Sequence, residues 1–166
     1  PRRRHSPSHR RVVRPHHVGH AVHVRVAPQL VHRELARLPA LAQRLQREGV
    51  RTFGAHAHRY FDEFGGLNRG FDVIDFAAAP PKDAPWDIDT KATAEELTNA
   101  AIGLLSKPEN TDKRFFMWVH YLDPHADYLK HEGIDFGTAP RDLYDAEVAY
   151  TDKFIGQLLN TIEQAP

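Results

Sequence analysis

Leu35, Leu38, Leu41, Ala42 and Leu45 recur at helical spacing with polar residues between them, and Gly49 supplies a stop, so the pattern predicts an amphipathic helix over roughly 34–48. The texture then changes. Val50-Arg51-Thr52-Phe53-Gly54-Ala55 reads as a short buried strand running into His56-Ala57-His58. Residues 61–70 are loop-like, with Gly65-Gly66 and Asn68-Arg69-Gly70 as turn signals. A short strand is expected at Phe71-Asp72-Val73-Ile74-Asp75, and a proline-rich loop over 77–90. Leu97, Ala100, Ala101, Leu104 and Leu105 share one face of a second helix, expected from Thr93 to about Ser106. Thr93 and Glu96 have the spacing of a capping box there, and Lys107-Pro108-Glu109-Asn110 ends the helix. A loop over 126–140 leads to a third helix from about Arg141 to Glu163, with Val148, Thr151, Ile155, Leu158, Leu159 and Ile162 as its inner face.

Between the second and third helices, Phe115 to Leu122 is apolar almost throughout and is broken only by His120. A half-exposed antiparallel strand alternates polar and apolar residues, whereas a parallel strand covered on both faces does not. This strand is therefore expected to be central in its sheet. Helix, strand, loop, helix, strand, helix is the rhythm of an α/β fold with parallel crossovers. Sheets of that kind bind ligands beyond the carboxyl ends of their strands, which is where Asp123, Pro124 and His125 fall.

Composition changes the picture at one end. Of 22 basic residues, eight are arginines within residues 1–33, which hold no Lys, Asp or Glu; the remainder carries 14 basic groups against all 22 acidic ones. The formal zero charge is thus a basic segment joined to an acidic body. Residues 1–33 also contain seven histidines and no aromatic residue, although Val18 to Val26 alternates like a short strand. Such a segment could neutralise nucleic-acid phosphates or bind metal, but no ligand spacing recurs. We read it as a disordered or non-native leader, and nucleic acid as an unlikely partner. It has no apolar h-region, so it does not read as a signal peptide. No apolar run approaches the ~18 residues of a membrane span. Cysteine is absent, which excludes disulfides and thiolate metal sites and leaves the compartment open.

The residues at the strand end carry the candidate chemistry. His125 lies just past Pro124, which stops the ladder for want of an N–H, and reads either as a group meeting a substrate or as the cap of the following turn. His120, inside the strand, reads first as a satisfied structural histidine. Asp123 could orient a histidine or bond the turn backbone, with the turn role preferred.

Two blocks carry a resemblance to a known family. Phe115-Phe116-Met117-Trp118-Val119-His120-Tyr121-Leu122-Asp123-Pro124-His125-Ala126-Asp127-Tyr128 resembles the aromatic strand and Asp-Pro-His-x-Pro-Tyr run of the sulfatases, with Asp127 where that family often has proline. Tyr144-Asp145-Ala146-Glu147-Val148-Ala149-Tyr150-Thr151-Asp152 resembles the run that opens a later helix of the same family. The resemblance spans roughly residues 35–165. It implies a partial alkaline-phosphatase-like core, an α/β fold with a mostly parallel sheet and flanking helices, in which residues 34–166 are part of a sulfuric ester hydrolase. It also implies that His125, and with it His120 and Asp123, meets the substrate sulfate. The family has a basic pair two residues apart at a place that His56 and His58 occupy. Alternate residues on an extended segment share a face, so these two could converge on one anion, although no lysine stands there.

Sulfatases act on an anionic ester whose transition state builds negative charge, so they use a divalent cation and positive groups. The resemblance implies Ca2+ or Mg2+ for the complete enzyme. No aspartate precedes Asp62 and no Asp-His-Gly follows Asp152, so the ligands are not expected in this chain. The nucleophile signature, Cys-or-Ser-x-Pro-x-Arg, is not met either. The nearest string is His5-Ser6-Pro7-Ser8-His9-Arg10, in which only Ser6 offers a hydroxyl. The expectation is a fragment, inactive alone, that supplies anion-binding histidines for a sulfate-ester small molecule or glycan. The alternatives are a phosphoester hydrolase or transferase of the same superfamily, or a non-catalytic relative led by a nucleic-acid-binding basic arm. For the complete protein, a periplasmic, membrane-associated or secreted location would suit the family.

Overall fold

The computed structural model describes residues 40–58, 66–81, 93–125 and 127–164. The basic segment 1–33 with Ser6, the first turns of the helix expected over 34–48, the start of the loop at 61–65 and most of the proline-rich loop lie outside the described residues.

Helix α1 (Leu41–Arg47) falls within the first expected helix, and the residue before it, Ala40, is already extended. It stops at Gly49, whose φ of 72° is the left-handed conformation that closes a helix without strain on a Cβ. The chain passes directly into β1 (Arg51–His56). After the turns at 66–70 it forms the short β2 (Val73–Asp75). Helix α2 (Ala94–Leu105) follows, then a single turn, α3 (Pro108–Thr111), at the place expected to be only a helix stop. Strand β3 (Phe115–His120) and the long α4 (Pro140–Glu163) complete the order.

The three strands form one parallel sheet in the order β2-β1-β3. Phe53 pairs with Val73 on one side of β1 and with Met117 on the other. One expectation is corrected here. Among the described residues β1 is the central strand, whereas β3 pairs on one side only and lies at the edge. An unbroken apolar run reports that both faces of a strand can be covered; it says nothing about which neighbours pair along its edges.

Strand alternation assigns the faces. Phe53, Ala55 and Ala57 point into a core with Leu97, Ala101, Leu104 and Leu158, against which Met117, Val119 and Tyr121 also pack. Thr52, Gly54 and His56 take the other face, in register with Phe116, Trp118 and His120. The start of β1 is fixed by polar groups. Asp72 Oδ2 accepts from Thr52 N at 2.9 Å, Gln46 Nε2 donates to Asp72 Oδ1 at 2.7 Å, and the Arg51 guanidinium lies 3.5 Å away. At the far end of α2, Asn110 Nδ2 donates to Leu104 O at 2.8 Å and Asn110 Oδ1 accepts from Arg51 Nε at 3.0 Å. That one buried amide ties a helix end to a strand.

Two further expectations change. Thr93 does not act through a capping box, because the helix has no side-chain cap from its own N-cap residue. The inner face of α4 is also rotated from the expected one. Ala146, Glu147, Thr151, Phe154 and Leu158 are buried, while Val148 and Leu159 are 41% and 53% exposed. Apolar spacing marks a stripe on a helix, but it cannot reveal that a carboxylate will be buried inside that stripe's edge.

Candidate functional site

The carboxyl ends of β1 and β3 carry the histidines picked out by spacing. His56 and His120 are register partners, with ring centroids 6.3 Å apart. His56 is 0% exposed and packs edge-on against Trp118 at 4.6 Å and Phe76 at 5.8 Å. Burial, and after it the neighbouring His120, lowers its pKa to about 4, so it is neutral at neutral pH. His120 is likewise pushed below the ordinary histidine range, chiefly by burial, with His58 contributing repulsion. His56 and His120 thus share one face of the sheet, and His58, two residues past His56, repels the charged form of His120, which makes a local cluster. In it, His56 lies beneath aromatic rings rather than at the surface, and only His58 and His120 are partly exposed.

Asp123 and His125 are held by different elements. Asp123 Oδ2 accepts from Thr93 N at 2.8 Å, from Ala94 N at 2.7 Å and from Thr93 Oγ1 at 3.2 Å. These are orphan donors at the start of α2, so the strand end caps a helix that begins 30 residues earlier in the chain. This is neither the orienting role nor the local-turn role read from the sequence. The Asp123–Pro124 peptide is cis. His125 is exposed, and its backbone N–H donates to Glu147 Oε2 at 3.2 Å.

Glu147 is the residue that sequence reasoning left without a role. It lies on α4, 2% exposed, and its second oxygen accepts from Leu129 N at 2.9 Å. His131 Nε2 stands 3.7 Å from that oxygen, and the His131 ring stacks on Tyr150 at 3.9 Å and 11°. The Tyr150 phenol has a raised pKa, first from burial and then from the charges of Glu95 and Asp123. One helix face thus holds the chain after β3 at His125, Leu129 and His131. The only available signal was the Tyr-Asp-x-Glu run itself, which gives the residue but not its burial.

A cleft of about 390 Å³ opens beside this loop, lined by Lys130, His131, Asp135, Gly137, Leu143 and Ala146 among others. None of the five residues picked out from the sequence lines it. It is at the strand ends, not at the cleft, that the parallel sheet presents its histidines.

The fit of a divalent cation can be tested on the carboxylates near the strand ends. Asp75 Oδ1 accepts from Ala77 N at 2.7 Å, and Asp123 and Glu147 accept from backbone N–H groups as described. Among the described residues no three His, Cys, Asp or Glu side chains gather as a metal-holding group. The described residues therefore do not by themselves fit a cation. No helix among the described residues is long and apolar enough to cross a membrane.

Comparison with known proteins bears on the same residues. The structure resembles that of a protein in the alkaline phosphatase superfamily from Vibrio parahaemolyticus, with a TM-score of 0.54 and 21% identity. The match covers 75% of this chain and 31% of that one, so this chain spans about a third of that protein. At that identity the likeness shows the fold, and it agrees with a parallel α/β sheet flanked by helices. No curated protein matches the chain. Residues 13–166 match the sulfatase family, a stretch that contains every described residue up to the end of α4, and the chain belongs to that family.

Proposed function

We propose that this chain is part of a sulfuric ester hydrolase and that His125 contacts the sulfate group of the substrate. The observation that carries this reading is the position of His125. It is an exposed imidazole just beyond the carboxyl end of a parallel strand, with its own backbone nitrogen fastened to a buried carboxylate. An imidazole so placed can donate to a sulfate oxygen, and a fixed donor stabilises developing negative charge without reorganising. His120, at the end of the same strand, and His58, just past β1, are partly exposed and would offer further imidazole donors, with His56 buried among aromatic rings. Asp123 contributes by holding α2 against the strand end. The substrate class is a sulfate-ester small molecule or glycan. The family's Ca2+ or Mg2+ would supply charge neutralisation in the complete enzyme.

The test is His125→Ala in the protein produced from its own gene, assayed with an aryl sulfate and with the matching aryl phosphate. The expected result is a fall in kcat/KM for the sulfate ester of about ten-fold or more. Unchanged kcat and KM would overturn the role of His125. Faster turnover of the phosphate than of the sulfate would move the protein to the phosphoester hydrolases.

A further inference from the structure

Beyond the histidine itself, we infer that Glu147 is a positioning residue, which sets the place of His125 through the backbone. The inference rests on the reading of His125 as the sulfate contact. Each oxygen of the carboxylate takes one amide: Oε2 accepts from His125 N at 3.2 Å and Oε1 from Leu129 N at 2.9 Å. A single side chain thus holds the backbone both at His125 and four residues later at Leu129. Because the N–H of His125 is itself a donor, displacement of that residue's backbone breaks the bond directly.

The enclosure around Glu147 argues that the charge is there for this purpose. A carboxylate withdrawn from water costs several kcal/mol unless hydrogen bonds replace its hydration. Glu147 is 2% exposed and receives that replacement from the two amides, with His131 Nε2 3.7 Å from the oxygen that Leu129 also approaches. His131 is held in turn by stacking on Tyr150, one helical turn further along α4. Packing alone would be served as well by an apolar residue at this position. What an apolar residue could not do is accept two amide hydrogens at once.

Glu147→Gln keeps the volume and removes one acceptor, so its amide group confronts either His125 N or Leu129 N with a second donor. In the protein produced from its own gene, this substitution is expected to lower kcat/KM for an aryl sulfate about ten-fold, but to cost less than about two-fold when His125 is already alanine. That non-additivity is the signature of action through His125. Equal losses in both backgrounds would overturn the inference. Imidazole NMR signals of His125 should shift in Glu147→Gln while the amide signals of Phe53 and Val119 stay in place; unmoved His125 signals would also overturn it. Should the variant fail to fold, hydrogen exchange in the unaltered protein decides. The amides of His125 and Leu129 are expected to be protected, and exchange of either at the rate of an unstructured peptide would refute the clamp. Loss of activity in Glu147→Gln with none in His125→Ala would remove the sulfate contact instead, leaving the His125 signals and the exchange rates to judge Glu147.

Discussion

Asp123 Oδ2 lies 2.8 Å from the backbone nitrogen of Thr93 and 2.7 Å from that of Ala94, so the residue that ends β3 also begins α2. The carboxylate is buried, and it satisfies two of the four amide donors that every helix start leaves open. Its negative charge also suits the positive end of the helix dipole. Asp123→Ala should therefore destabilise the fold by about 2 kcal/mol, above the ordinary cap because the orphaned donors are buried. Asp123→Asn, which keeps one acceptor, should lose less. Urea denaturation followed by circular dichroism measures both, and a loss under about 0.5 kcal/mol for alanine would contradict the cap.

His56 should titrate near pH 4 in the folded chain, against an ordinary value of 6.5. The folded pKa lies below the unfolded one, so between these values the unfolded state binds the extra proton. Stability from this group is complete above about pH 6.5 and is lost as pH falls toward 4, on the order of 2–3 kcal/mol across the window. NMR titration of the His56 ring gives the midpoint directly. A midpoint above 6 would show that the ring is open to water.

Gly54 permits the close approach of β1 and its neighbours on the histidine face. A Cβ built there would stand 2.6 Å from the carbonyl oxygen of Trp118 and 3.2 Å from His56 Nε2. The backbone oxygen cannot yield without disturbing the ladder between β1 and β3. Gly54→Ala should cost about 1–3 kcal/mol, the usual range for overpacking. A thermal midpoint equal to that of the parent chain would show that the strands separate more freely than the register implies.

The rotated face of α4 predicts a contrast between adjacent leucines. Leu158 packs in the core with Phe53 and Leu97, whereas Leu159 is 53% exposed. Leu158→Ala should cost about 2–4 kcal/mol and Leu159→Ala under about 1 kcal/mol. Equal losses measured by chemical denaturation would restore the face expected from apolar spacing.

The short buried strand ending at His56 was legible because its run of residues is largely apolar and closed by a change of texture. The same holds for the stop at Gly49 and for α2 within one residue at each end. What could not be read was the partner of each polar group. Thr93 and Glu96 have the right spacing for a local cap, yet the cap comes from Asp123. Glu147 sits in a recognisable run, yet no local pattern says that a loop will close over it.

Sequence alone therefore determined the order of elements, the α/β class and the family motifs, since each is written in local patterns along the chain. Tertiary structure alone decided that β3 lies at the edge of the described sheet, that His56 is buried and neutral, and that Asp123 and Glu147 fasten a helix start and the His125 loop. Those outcomes join residues some 20 to 60 positions apart. The reason is burial: a polar group removed from water must find a partner wherever the folded chain brings one within reach.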